Sequence, residues 1–266
     1  MVSRSHLTWS LAELGGFAEG SGVGEEAVRI AEEAVHAYSL AVALTSVGLL
    51  SRRQGALHRA IPLLEQGLAL SQTAGFPQVF PVFASILGAT YALARRTAEA
   101  LPLLEQTLER VATGAGMLFQ ALVLTELSEA LLLVDRMDEA STLARRLLDL
   151  FHTHTASGYQ AHASRLLGEV AVQREPPEAA LAEASFRQAL TVAEALGMRP
   201  LLAHCHRGLG TLYATIGQRE QARAELSTAI EMYHDMEMTF WLPQTEAALA
   251  QVEGRSSGDA LSGLVE

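Results

Sequence analysis

The sequence predicts an all-α solenoid of six helix pairs with a capping helix at its C-terminal end. The first observation behind this prediction is self-similarity: AIPLLEQGL, which begins at Ala60, returns as ALPLLEQTL at Ala100, 40 residues later. The second is a small residue that precedes each repeated alanine at a nearly constant interval. The third is the recurrence of apolar residues at spacings of three and four, which is typical of amphipathic helices.

Alanines at equivalent places mark the second helix of each unit. They are Ala27, Ala60, Ala100, Ala140, Ala182 and Ala222, and a small residue stands twelve positions before five of them, at Gly15, Gly48, Gly88, Ser128 and Gly210. Small residues at both positions are expected where two antiparallel helices cross, because a larger side chain would force the backbones apart. In the fifth unit Gly168 precedes Ala182 by 14 residues. The two additional residues are predicted to lie in the polar turn at residues 174–177.

Each unit is predicted to contain an apolar first helix, a short polar turn and an amphipathic second helix. The predicted array spans residues 6–252, with units at residues 6–36, 37–72, 76–112, 117–151, 158–194 and 199–234. Gly55 and Gly217 fall between paired helices, where glycine commonly ends a helix. Residues 240–252 are predicted to form the cap that shields the end of a solenoid. Residues 253–266, rich in Ser and Gly, are predicted to form a disordered tail.

The charge balance excludes some classes of partner. Acidic residues exceed basic ones by 30 to 19 in the 266-residue chain, for a formal charge of -11. Direct binding of nucleic acid or of anionic lipid is therefore not expected. Residues 74–94 are uncharged and long enough to span a bilayer, but they contain Pro77, Pro81 and Gly88 and stay in phase with the repeat, so no membrane segment is expected. The N-terminus lacks the order of a signal peptide, and a cytoplasmic protein is expected.

The final unit carries the fullest motif. LGTLY at residues 209–213, followed by Ala222 and Leu226, resembles the signature of tetratricopeptide (TPR) repeats, and the resemblance covers nearly the whole chain. It implies a right-handed superhelix of TPR-like helix pairs. The chain lacks the opening tryptophan and the closing proline of the signature in every unit. Its period is mostly 40 residues, whereas about 34 is usual, so longer helices or longer loops are expected.

The long period is similar to that of TPR arrays at the C-terminal ends of large bacterial signalling ATPases, cyclases and transcriptional activators. The final unit and the FWLPQTEAALA segment that begins at Phe240 carry most of this likeness. In such proteins the array is a sensor or a docking surface that controls a catalytic or regulatory domain in cis. No G-x-x-x-x-G-K-[ST] phosphate loop occurs in this sequence. A separated array or a stand-alone relative is therefore expected.

The TPR resemblance places the first helices of successive units along a concave groove, which we expect to bind a peptide or a partner domain. Positions around the small marker residues give the candidate binding residues Trp9, Glu126, Glu129, His162, Arg165, Glu169, His204, Arg207 and Thr211. Two interpretations of Arg165 and Arg207 are open. The arginines present donors to a carboxylate or another polar ligand, or they pair with glutamates of neighbouring helices on a solvated face. The first half of the groove is expected to be smooth and apolar, and the second half polar and charged.

The alternative function is a sensor for a small ligand, a sugar or a nucleotide, held in the groove. Catalysis is not expected, because no nucleophile, base and oxyanion donor can be assembled from this sequence. Cys205 is expected to pack within a helix as a small apolar group. His152 and His154 offer two metal ligands without an identifiable third, so a plain turn is favoured there, and neither a metal nor a cofactor is expected.

Overall fold

The computed structural model describes residues 2–112, 116–151 and 158–254. Within these ranges the chain forms thirteen α-helices and no strand. The helices are α1 (Val2–Leu14), α2 (Phe17–Glu33), α3 (Ala37–Gln54), α4 (Leu57–Thr73), α5 (Phe80–Leu93), α6 (Thr97–Ala112), α7 (Met117–Leu132), α8 (Met137–Leu150), α9 (Gly158–Gln173), α10 (Ala179–Leu196), α11 (Arg199–Thr215), α12 (Arg219–Asp235) and α13 (Leu242–Val252). The prediction of an all-α solenoid is confirmed.

Helices α1 to α12 pair in sequence as hairpins, and α13 follows as a single helix. In most hairpins the marker glycine of the first helix lies against the residue four positions after the marker alanine of the second. A Cβ added to Gly48 would lie 2.6 Å from Leu64, and one added to Gly88 would lie 2.6 Å from Leu104. Carbon atoms do not approach so closely, so these two positions require glycine. The predicted close approach of the paired helices is confirmed.

The long repeat is accommodated by long helices in some units and by longer connections in others, such as the one between Thr73 and Phe80. The first helix of the second hairpin, α3, and the second helix of the fifth, α10, have 18 residues each. In the fifth hairpin α9 ends at Gln173 and α10 begins at Ala179. The longer turn of that unit therefore lies where the sequence predicted it.

The core runs along the array between the helices. Its marker alanines are fully buried: Ala27, Ala60, Ala100, Ala140, Ala182 and Ala222. Because each hairpin buries its apolar face against its sequence neighbours, the core extends from unit to unit instead of forming around one centre. None of the described helices combines the length and the apolar character that a bilayer crossing requires.

The two ends of the array meet. A Cβ added to Gly15, after α1, would lie 2.6 Å from Met236 Sδ and 3.3 Å from Pro200 Cδ. Gly55, after α3, lies against Phe240 and Trp241 in the segment before α13, and α1 also contacts α11. The curvature of the solenoid therefore encloses the concave surface, which is not an open groove along its whole length.

Candidate functional site

The first helices of all six hairpins contribute to the enclosed concave surface, which contains two adjoining cavities. The larger has a volume of about 560 Å³ and the smaller about 180 Å³, and Glu13, Arg53 and His162 line both. Seven of the predicted binding residues line the larger cavity: Glu129, His162, Arg165, Glu169, His204, Arg207 and Thr211. The other two, Trp9 and Glu126, line the smaller one. The structure brings all nine to one surface, and their role in binding stays a prediction.

A buried ion-pair network crosses this surface. Arg52 Nη2 donates to Glu126 Oε1 at 2.6 Å, and Arg52 Nη1 lies 3.6 Å from Glu129 Oε2. Arg165 donates from Nη2 to Glu129 and from Nη1 to Glu169 Oε1, the latter at 2.7 Å. The network therefore ties together α3, α7 and α9, the first helices of three different hairpins.

These contacts show how Arg165 is used in the folded chain. It pairs with Glu129 and Glu169, as the second interpretation expects, but the side chain of Arg165 is only 6% exposed and those of the two glutamates 18%. The expectation of a solvated face is therefore wrong. The physical reason is curvature: α3, α7 and α9 turn their inner faces toward each other, so charged side chains meet there instead of facing water.

A second group of charges joins α1 to the network. Glu13 Oε1 accepts a hydrogen bond of 2.9 Å from Arg53, and Glu13 Oε2 lies 3.4 Å from His162 Nε2. Burial alone would raise the pKa of the Glu13 carboxyl, but Arg53 and the hydrogen bond with His162 hold that pKa well below its usual range. Glu13 is therefore ionised at neutral pH and bridges α3 and α9.

His162, which is buried, and His204, which is half-buried, carry no charge at neutral pH. Burial lowers the pKa of His162, although the nearby Glu13 carboxylate acts in the opposite direction. Burial also lowers the pKa of His204, and the Arg207 guanidinium lowers it further. A histidine with a lowered pKa is neutral at pH 7. The positive charge on this surface therefore comes from arginine side chains.

Arg207 is only weakly compensated. Among the described residues its one ion-pair contact is Glu169 Oε1 at 3.8 Å, and that oxygen already accepts a hydrogen bond from Arg165 at 2.7 Å. Nearby, His204 Nδ1 and Tyr233 Oη share a hydrogen bond of 2.7 Å. A guanidinium has five N–H donors, so Arg207 keeps most of its donors for another acceptor.

Several cavity residues were missed by sequence reasoning. Arg52 and Arg53 line the larger cavity, and they lie four and five positions after the marker Gly48. The expectation of a smooth, apolar first half is therefore wrong. Helical periodicity could have identified both arginines, because they lie one turn beyond the predicted groove positions on the same face. Phe240 and Trp241 also line this cavity, but they reach it because the ends of the array meet, which the repeat pattern does not indicate.

Four buried atoms of cavity-lining residues have no hydrogen-bond partner within the described part of the chain. They are Arg52 Nε, Arg165 Nε, His162 Nδ1 and Glu126 Oε2. A buried polar atom without a partner costs about 1–3 kcal/mol. These four atoms have almost no accessible surface, so the cost is a property of the packed ion-pair network and does not by itself indicate a ligand.

Other residues singled out in the sequence have different surroundings. Cys205 is fully buried, and burial raises the pKa of its thiol to about 12, so it packs as a small apolar group as predicted. Among the described residues, no group of three or more His, Cys, Asp and Glu side chains is arranged to hold a metal ion. His152 and His154, considered above as metal ligands, lie outside the described residues.

This architecture, with hairpins stacked around an enclosed inner surface, is a TPR-like α-solenoid, and it is similar to solved structures of that class. BtubC (BKLC) from P. vanneervenii matches with a TM-score of 0.56 and 19% identity, over 84% of this chain and 91% of that chain. A single-residue variant of a kinesin light chain with nearly identical TPR-like repeats, from Podosopora anserina, matches with a TM-score of 0.50 and 18% identity, over 73% and 94% of the two chains. No family model and no curated protein matches the chain. The likeness to bacterial signalling arrays stays a prediction.

Proposed function

We propose that this chain is a protein-interaction module whose partner, a peptide or a partner domain, binds at the mouth of the larger cavity. Solenoids of TPR-like repeats serve as protein-interaction scaffolds in general, because stacked hairpins present a broad, rigid surface. The observation that carries the proposal is that the first helices of all six hairpins contribute side chains to one cavity. Control of a catalytic or regulatory domain in cis would use the same surface.

The enclosed shape limits how a partner binds. Since α1 lies against α11, and Gly55 lies against Phe240 and Trp241, a long peptide does not run through the concave side. The partner instead inserts a few side chains at the mouth, where Arg95 and Thr211 are exposed and Arg207 is half-buried. Acidic side chains suit this mouth best, because these arginines supply charged donors.

Site-specific photo-crosslinking tests the proposal. The photoreactive residue p-benzoylphenylalanine replaces Thr211 at the cavity in one variant and Ala224, exposed on α12 and outside both cavities, in another. We expect the Thr211 variant alone to capture a defined protein from an extract of the source organism. Adding Arg207→Gln to that variant should weaken the capture. Equal capture from both positions, or capture that is insensitive to Arg207→Gln, would contradict the proposal.

A second function, a small-ligand sensor, is favoured by the enclosed cavity itself. Its volume of about 560 Å³ lies within the roughly 300–1,000 Å³ that is usual for small-molecule sites. A ligand held at 100 times its Kd would stabilise the folded chain by about 2.7 kcal/mol. A thermal-shift screen measures that effect directly. Stabilisation by a metabolite, without capture of a protein at Thr211, would favour the sensor over the interaction module.

A further inference from the structure

The charge of the larger cavity is opposite in sign to that of the whole chain. Five arginines line it, against three glutamates: Arg52, Arg53, Arg95, Arg165 and Arg207, against Glu13, Glu129 and Glu169. Glu126 of the adjoining cavity pairs with Arg52, so one arginine charge remains in excess. The whole chain carries a formal charge of -11. A partly enclosed cavity with walls of low dielectric constant strengthens the field of its own charges. An excess of arginine inside an acidic protein therefore indicates an anionic occupant.

Two of these arginines have unused donors at the cavity. The guanidinium of Arg95, exposed after α5, has no hydrogen-bond or ion-pair partner in the described part of the chain. Arg207 shares a single glutamate oxygen with Arg165, at 3.8 Å. The cavity thus offers charged donors from Arg95 and Arg207 at its mouth.

One wall of the same cavity is apolar. The rings of Phe240 and Trp241 lie edge to face with centroids 5.2 Å apart, and Leu133 and Leu201 also line the cavity. Phe240 remains 38% exposed, although it is a large apolar side chain. Covering such a ring with the apolar part of a ligand is favourable, and offset or edge-to-face contacts favour an aromatic ligand.

We infer that the larger cavity binds a small organic anion with an aromatic body. Its acid group accepts hydrogen bonds from Arg207, and its body packs beside Phe240 and Trp241. Guanidinium groups bind carboxylate, sulfonate and phosphate oxygens by the same charged hydrogen bonds, so the acid group and the ring together define the ligand class. The inference rests on the small-ligand function proposed above and adds the chemical class of the ligand.

Two dyes with the same aromatic body test the inference. 8-Anilinonaphthalene-1-sulfonate carries a sulfonate, and N-phenyl-1-naphthylamine lacks it. The chain has two tryptophans, so Trp9→Phe leaves Trp241 as the only one, and quenching of its emission reports a dye bound near Trp241. The Arg207 variants then assign the bound dye to the larger cavity. We expect one dye per chain, with the sulfonate bound at least tenfold more tightly than the neutral dye.

Matched variants assign the preference to Arg207. Arg207→Gln should weaken binding of the sulfonate about tenfold, which is about 1.4 kcal/mol, and leave the neutral dye unchanged. Arg207→Lys should keep part of the preference, because it keeps the charge. Arg146→Gln removes the same charge from an exposed position on α8 outside both cavities, and it should change neither affinity. Circular dichroism melting confirms that each variant is folded.

The outcomes separate the inference from the functions proposed above. Equal affinity for the two dyes, or the same loss in Arg207→Gln as in Arg146→Gln, would overturn the anion inference and leave the cavity as a site for neutral ligands. No quenching of Trp241 by either dye would overturn the inference, whereas the small-ligand sensor would still be tested by the thermal-shift screen. Neither result affects the partner proposal, which the crosslinks from Thr211 test separately.

Discussion

At the residue scale, Arg52 is the largest fully buried side chain in the described part of the chain. It is buried to 1% exposure, and its charge partners Glu126 and Glu129 lie on a helix far away in the sequence. Taking a guanidinium and a carboxylate out of water costs several kcal/mol for each ion, which their mutual attraction offsets only while both are present. Removing one partner should therefore destabilise the fold more than removing both.

We expect Arg52→Met to destabilise the fold by about 3–5 kcal/mol, because it leaves Glu126 buried without its cation. The double variant Arg52→Met/Glu126→Leu should recover most of this loss, since apolar side chains of similar volume replace the pair. Urea unfolding monitored by circular dichroism measures both effects.

An exposed ion pair provides the control for this prediction. Arg29 and Glu33 pair at 2.7 Å on the surface of α2, and Arg29→Met should cost less than about 1 kcal/mol. A double variant no more stable than Arg52→Met alone would mean that the buried pair does not act as a unit.

The sequence predicted some of the charges on the inner surface, but it missed Arg52 and Arg53 and did not predict how deeply the charges are buried. Arg165 and Glu129 were both identified from positions next to the marker residues, and they do pair. Their exposure depends on how close α7 and α9 come to α3, which is a property of several units together. Local spacing therefore indicates the direction of a side chain but not its solvent exposure.

At the scale of the element, three hairpins pack a glycine of the first helix against a leucine of the second. Gly88 of α5 and Leu104 of α6 form one such contact, and Gly48 with Leu64 forms another. Each of these contacts joins residues 16 positions apart in the sequence, within one hairpin. Such local constraints are visible in one sequence, which is why the helices and the longer fifth turn could be predicted.

We expect Gly88→Ala to destabilise the protein by about 1–3 kcal/mol, as overpacked core substitutions do. The added Cβ would lie 2.6 Å from Cγ of Leu104, which is fully buried and can move only if the side chain changes its rotamer or its helix shifts. The overlap should outweigh the helix propensity that alanine gains, which is about 1 kcal/mol. The urea midpoint at a constant m-value measures the change.

Gly22→Ala is the matched control for this substitution. Gly22 lies within α2, and a Cβ added there would meet nothing within 4 Å. The same replacement should therefore stabilise the protein by about 0.5–1 kcal/mol. If both alanine variants gain stability, the close packing at Gly88 does not constrain the hairpin.

At the scale of the whole molecule, the contact between the two ends distinguishes this chain from an open solenoid. In an open array each unit contacts only its neighbours, and stability is approximately a sum of unit and interface contributions. Here Leu50 of α3 shares a hydrophobic cluster with Tyr233 and Trp241. This contact depends on the accumulated rotation of every hairpin, so no local motif encodes it. Phe240 and Trp241 reach the cavity through this accumulated rotation, and the sequence therefore did not predict them there.

We expect Trp241→Ala to open the array. The side chain is 7% exposed and lies against Gly55 from the far end of the chain, so its removal takes away a main contact that holds the ends together. The loss should be about 3–5 kcal/mol, as for other buried aromatic residues. Small-angle X-ray scattering should show a larger radius of gyration and a longer maximum dimension for the folded variant.

Phe83→Ala is the control that distinguishes opening of the array from a general loss of stability. Phe83 is equally well buried, at 3% exposure, in the core cluster that includes α5 and α7, away from the contact between the ends. Its removal should cost a similar free energy of unfolding, but the scattering dimensions should stay those of the parent protein. If Trp241→Ala leaves the dimensions unchanged while both variants lose stability, the ends are held by the curvature of the hairpins themselves. The cavity would then be a fixed feature of the array that does not depend on this contact.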